Sequence, residues 1–281
     1  MRHHVLEWGD AGAPMLVMLH GWMDIGASFQ FLVDELRGRW HVIAPDLRGF
    51  GGTQWQAQGY WFADYIADLD ALIDHFAPAD AVDLVGHSLG GNVVMVYAGV
   101  RPARVRRVVS LDAFGIPGEA ADVAPAKMEK WLDALKSDPS FAPYASLADV
   151  ATRLQRTNPR LPRDKAEFLA SHWAEQLADG SARLRSDPRH KLPFPTVYRL
   201  EEVYAVWRRI AAPVLWVVAA QSHVLKWLRG RASDADPLTV VSERMSHVPR
   251  CELAVIDNAG HMLHHDQPEA VARAIEPFLA R

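Results

Sequence analysis

Over roughly the first hundred residues, short, nearly unbroken apolar runs alternate with longer stretches in which apolar residues return every three or four positions. The runs are MLVMLH (15–20), HVIAPDL (41–47), AVDLVGH (81–87) and VRRVVSLD (105–112), the pattern of strands covered on both faces. SFQFLVDELRG (28–38) and YWFADYIADLDALIDHF (60–76) carry the helical spacing between them. Strand runs resume at APVLWVVAA (212–220) and CELAVIDNAGH (251–261), and PEAVARAIEPFLA (268–280) reads as a closing helix. Such alternation predicts an α/β fold, a mostly parallel sheet flanked by crossover helices.

Between the two halves lies a segment without a strand pattern. It holds amphipathic helical stretches separated by prolines: Met128, Trp131, Leu132 and Leu135 mark one apolar face, Leu169, Trp173 and Leu177 another. The expected organisation is a core of residues 1–114 and 210–281 with a helical lid, 115–209, inserted between two strands. Open α/β sheets bind ligands at the carboxyl ends of their strands, so a lid there would cover a site.

Composition narrows the partners. A chain of 281 residues that is 49% hydrophobic suffices for one main core with an insert. A net charge of −4 supplies no broad basic surface, which argues against nucleic acid and for a small neutral or moderately polar substrate. The lone Cys251 permits no internal disulfide, and a thiol kept reduced points to the cytoplasm. The opening MRHHVLEWGDAGAP lacks a signal-peptide pattern, and no run of about 18 apolar residues occurs, so a soluble, unexported protein with no membrane partner is expected. The histidine pairs at 3–4 and 264–265 are not spaced with cysteines, and no metal is expected. Oligomeric state is not legible.

The chemistry concentrates at Gly86-His87-Ser88-Leu89-Gly90, a GxSxG pattern where a strand gives way to a helix. Residues without Cβ two places either side of Ser88 would relieve the crowding of a tight turn that projects its hydroxyl. The competing reading, a plain glycine-rich turn or phosphate cradle, lacks the lysine of GxxxxGK[ST] and the GxGxxG spacing. A serine needs a base oriented by a third group. His261, just after the last strand run, is the expected base; His264 and His265 fall where the closing helix starts, and His87 should point to the other side of the turn. The Leu89 N–H, at a helix N-terminus, suits a developing oxyanion. In LHGWMD (19–24) the Trp22 N–H is the expected second donor, with Met23 behind it.

HGW at 20–22, DLRGFGGT at 46–53, GHSLGG at 86–91 and NAGHMLHHDQPE at 258–269 together resemble the α/β-hydrolase superfamily, in particular its lidded bacterial members and the serine hydrolase-like proteins. The resemblance spans the chain outside the insert. It implies a serine hydrolase that forms an acyl-enzyme on Ser88 from a small carboxylic ester, a thioester or a lactone, with no metal or organic cofactor. Carbon–carbon bond hydrolysis, cofactor-free haloperoxidase or perhydrolase chemistry, and ligand binding without catalysis are the alternatives. Members that use an aspartate nucleophile, the epoxide hydrolases and dehalogenases, are disfavoured by Ser88; Asp46 and Arg48 suit a loop-structuring role.

One departure bears on the site. The family's acid usually follows the strand after the lid, where this chain has Ser222; Asp234 and Asp236 come only further on. Asp112 ends the strand before the lid, a position some members use, and is the expected acid ahead of those two. Trp22, Trp55, Trp61, Phe141, Phe168 and Trp207 fall near the expected mouth or in the lid, with Trp131, Trp173 and Phe114 the expected substrate-pocket residues. Arg153, Arg156, Arg160 and Arg163 suit either a carboxylated substrate or solvated helix faces.

Overall fold

The computed structural model describes residues 1–56, 59–229 and 237–281. Strands β1 (Val5–Gly9), β2 (Met15–Leu19), β3 (His41–Pro45), β4 (Val82–His87), β5 (Val105–Leu111), β6 (Ala174–Gln176), β7 (Ala182–Leu184), β8 (Val214–Ala219) and β9 (Cys251–Ile256) follow in chain order. Seven of them make one sheet in the order β1-β3-β2-β4-β5-β8-β9. All neighbours run parallel except β1, which lies antiparallel on β3 with Val5 opposite Pro45 and Gly9 opposite His41. The central strands carry no polar face because helices cover both sides.

One face is covered by α2 (Phe62–Phe76) and α3 (Leu89–Val100), and also by helices from later in the chain; the other is covered by α1 (Gln30–Val33) and the closing helix. Leu69, Ile73, Val93 and Tyr97 are buried on the first face, and Leu32, Val271, Ile275 and Phe278 on the second. Each such side chain contributes about 1.5–3 kcal/mol on full burial. The crossovers leave the ends of β2, β4, β5, β8 and β9 pointing the same way, so the loops that follow these strands gather at one edge.

Between β5 and β8 the chain forms α4 (Ala124–Ala134), α5 (Leu147–Thr157), α6 (Arg163–Trp173) and α7 (Leu200–Trp207). This segment also contains β6 and β7, a small antiparallel hairpin, where the apolar pattern suggested helices alone. Three-residue strands are too short to show a two-residue period, and their pairing with each other is what forms them. Val150, Leu154, Leu169, Ala170 and Leu184 bury one another in a separate cluster that reaches the core through Phe31. α4 buries none of its residues: Met128 and Leu132 are exposed, as is Leu135 just beyond it. After β8 come α8 (His223–Arg229), α9 (Pro237–Met245), α10 (Leu263–Asp266) and α11 (Pro268–Leu279).

Two aromatic expectations are corrected by the packing. Phe114 and Trp207 stand edge-on to Trp216 at 5.6 and 5.5 Å between ring centres, and all three are buried. Their rings belong to the core beneath β5 and β8 and offer no surface to a ligand. None of the described helices is long and apolar enough to cross a membrane.

Candidate active site

β4 ends in a turn that only certain residues can make. A Cβ on Gly86 would lie 2.4 Å from the carbonyl oxygen of Gly90, and one on Gly90 would lie 2.1 Å from that of Leu19. The spacing of the motif thus reflects two close backbone approaches. Between them Ser88 adopts φ 51° and ψ −113°, a conformation that costs a non-glycine residue on the order of 1–3 kcal/mol. Three bonds hold it there: Ser88 N–H to Leu111 O (3.1 Å), Asn92 N–H to Ser88 O (3.0 Å) and Gly90 N–H to His20 O (3.1 Å). The hydroxyl is lifted off the strand and only partly buried.

Ser88 Oγ lies 2.9 Å from His261 Nε2, and His261 Nδ1 lies 2.7 Å from Asp112 Oδ2. The carboxylate can only accept, so Nδ1 carries the hydrogen and Nε2 presents its lone pair to the hydroxyl. His261 is carried by the β9–α10 loop, whose Ala259 O accepts from Gln221 N–H at 3.0 Å and whose Gly260 N–H donates to Asp266 at 2.8 Å. Asp112 follows β5 at φ 49° with its side chain fully enclosed. Its carboxylate also accepts from Ala219 N–H (3.1 Å) and from the Ser222 hydroxyl. Ser222, at the position where the resemblance places an acid, therefore bonds to Asp112 instead. Asp234 and Asp236 lie outside the described residues.

Beside the serine, Gly21 packs so closely that an added Cβ would meet Ser88 Cβ at 3.2 Å. The next residues carry N–H groups which, like that of Leu89, donate to no acceptor among the described residues; they belong to Trp22 and Met23. Trp22 is 55% exposed at the edge of the site. Trp173 is half-buried, its indole N–H donating to Asp24 at 3.2 Å, and Trp131 is half-buried on α4. Of the insert's arginines, Arg163 pairs with Glu167, and Arg160 binds Gln221 beside the Gly260 backbone. Arg156 is exposed; Arg153 is half-buried over the Trp173 ring, 6.0 Å from its centre, and its guanidinium makes no hydrogen bond or ion pair among the described residues.

A second cluster lies behind the site. Asp24, His264 and His265 are buried and offer ligand atoms within 4.8 Å of one another, a set that could hold a cation. The Ser28 hydroxyl stands among them, 2.7 Å from Asp24, 3.2 Å from His264 and 2.6 Å from His265. It donates to the carboxylate and accepts from both rings, so hydrogen bonds already complete the set. Burial holds the imidazoles of His264 and His265 below their ordinary pKa, and burial together with the neighbouring His261 does the same to His87. These rings are neutral neighbours of the site. Asp46 accepts from the Gly26 and Gly52 N–H groups, and Arg48 forks onto Asp68, so both tie loops together. The sequence pattern pointed to neither Ser28 nor Asp24, whose partners are distant in the chain.

Comparison with known proteins agrees with this architecture. A family model described as the alpha/beta hydrolase fold matches residues 14–268. The chain is 30% identical to a 3-hydroxybutyrate-oligomer hydrolase of Cupriavidus necator, with 99% of this chain and 92% of that protein covered. It is 26% identical to a serine hydrolase-like protein of Danio rerio, covering 97% and 83% respectively. Among solved structures, a hypothetical protein from Pseudomonas aeruginosa PAO1 superposes with a TM-score of 0.85 at 27% identity, over 99% of this chain and 95% of that one. With the sheet order, the tight serine turn and a family match across most of its length, the chain belongs to the alpha/beta hydrolase fold family.

Proposed function

We propose that this protein is a serine hydrolase that cleaves a small carboxylic ester through an acyl-enzyme on Ser88. The observation that carries the reading is the continuous chain Ser88 Oγ, His261 Nε2 and Nδ1, Asp112 Oδ2, at 2.9 and 2.7 Å. In this reading His261 takes the hydroxyl proton as Ser88 Oγ adds to the ester carbonyl. The N–H groups of Leu89 and Trp22 receive the oxyanion, each worth about 10²–10³-fold in rate. His261 then gives the proton to the departing alcohol, and water, deprotonated by the same nitrogen, frees the acid. Asp112 keeps the tautomer correct and stabilises the imidazolium. Residues 115–209 act as the lid.

A carboxylate on the substrate is the second part of the proposal. Oligomers of 3-hydroxybutyrate, named for the Cupriavidus necator relative, are esters that end in a carboxylate. Arg153, half-buried without an acidic partner among the described residues, is a cation suited to such a group. The test is steady-state hydrolysis of 4-nitrophenyl acetate and of a 3-hydroxybutyrate dimer, the latter as free acid and as methyl ester. Turnover of the esters that disappears in Ser88→Ala is expected, with Arg153→Gln raising KM for the free acid but not for its methyl ester. Turnover unchanged in Ser88→Ala refutes the mechanism. An Arg153→Gln variant that treats acid and methyl ester as the native protein does refutes the carboxylate preference alone.

A further inference from the structure

His87 is 1% exposed, its ring lying below the turn that carries Ser88. Its Nε2 stands 2.8 Å from the carbonyl oxygen of His261. A carbonyl accepts only, so Nε2 bears the hydrogen and Nδ1 is the bare nitrogen. That Nδ1 has no hydrogen-bond partner among the described residues; it faces Gly21, where a Cβ would come within 3.0 Å of it. An unsatisfied buried polar atom is destabilising. A methionine would fill the same volume without that cost, so what histidine adds at this position is the one bond to His261.

That bond meets the base from a second direction. Ser88 Oγ contacts the imidazole of His261 at 2.9 Å, and the adjacent residue, His87, holds its main chain at 2.8 Å. Consecutive residues of one turn thus grip the same residue at ring and backbone. The His87 ring is itself packed against His264, 4.4 Å between centres, and is 4.7 Å from the ring of His261. His264 is fixed in turn by Ser28. The loop carrying the base also leans on Asp266, on the Gln221 N–H through the Ala259 carbonyl and on Asn258 at φ 54°.

We infer that His87 is a positioning residue, which holds the His261 loop so that Nε2 stays within reach of the Ser88 hydroxyl. The inference rests on the serine-hydrolase reading above and adds a residue that never touches substrate. Misplacing a catalytic group by about 1 Å costs on the order of 10²-fold in rate, so one backbone bond can carry a measurable part of kcat.

The test compares two near-isosteric replacements, His87→Gln and His87→Met, in 4-nitrophenyl acetate hydrolysis and thermal unfolding. The glutamine amide reaches about as far as imidazole Nε2 and donates to the same carbonyl; methionine does not. The expectation is that Met lowers kcat about 10- to 100-fold with KM within about twofold, and that Gln restores most of the loss, both variants unfolding cooperatively near the native Tm. Equal kcat in the two variants overturns the inference. Loss of cooperative unfolding in either variant also overturns it, because the bond then serves the fold rather than the base. Ser88→Ala in the same assay separates the failures: if it hydrolyses the ester like the native protein, the function reading itself falls, whatever position 87 does.

Discussion

Asp112 receives three donors, from His261, Ser222 and the Ala219 backbone, in a place closed to solvent. An amide there would present a donor where the imidazole hydrogen now points and would favour the wrong tautomer. Asp112→Asn is therefore expected to reduce kcat for 4-nitrophenyl acetate by about 10³–10⁴-fold with little change in KM. Ser222→Ala removes one of several bonds to the acid and should cost about 10-fold or less; steady-state kinetics on both variants checks the ranking. Ser88 and His261 were legible in the chain because each sits in a short motif whose place after a strand is itself visible. Asp112 was less so, because a lone aspartate at a strand end has the same local pattern whether it caps a turn or faces a histidine 149 positions away. His87 was read as lying on the far side of the turn; its bond to His261 has no local trace at all.

At the scale of elements, the tight junction of β4 and α3 is the least forgiving part of the fold. Gly90→Ala would put a methyl group 2.1 Å from the Leu19 carbonyl oxygen, so α3 must shift away from β2. Overpacking of this kind costs about 1–3 kcal/mol or more, and a shift of α3 moves the Leu89 N–H. The expected outcome is a lower urea midpoint together with loss of ester hydrolysis; native-like values of both would contradict the close-approach account of the motif. The apolar runs revealed β2, β3, β4, β5 and β8 because burial on both faces imposes one composition, and β9 through its own apolar residues although Leu253 and Val255 are exposed at the sheet edge. β1 escaped notice because a five-residue, half-exposed edge strand has little apolar signal, and its antiparallel pairing with β3 supplies the order. Trp207, in the inserted segment, packs into the core and not towards a cleft; an apolar residue on α7 has the same spacing in either case.

Across the whole molecule, buried neutral histidines join the layers. His190, from the inserted segment, is sandwiched between Phe50 and Tyr60 at 3.8 and 3.7 Å, and burial depresses its pKa to about 3. His20, His87, His264 and His265 are likewise lowered from 6.5, chiefly by burial. An imidazole whose folded pKa lies below its unfolded value takes up protons first in the unfolded chain. Its stabilising effect is complete above about pH 6.5 and is lost as pH falls towards the folded pKa, by up to about 1.4 kcal/mol per pH unit for each such ring. Urea midpoints at pH 7.5, 6.0 and 5.0 should therefore decline with a slope steeper than one histidine supplies, and His190→Phe should make the decline shallower. A midpoint that does not change between pH 7.5 and 5.0 would contradict this.

The proposed activity requires that the hydroxyl of Ser88 be made nucleophilic by the imidazole beside it, and covalent capture by a fluorophosphonate, followed by intact mass and peptide mapping, reads that directly. One adduct per chain is expected, mapped to Ser88, absent in Ser88→Ala and slowed by about 10³-fold or more in His261→Ala. No adduct on the native protein, an adduct elsewhere, or labelling of Ser88 at an undiminished rate without His261 would contradict it.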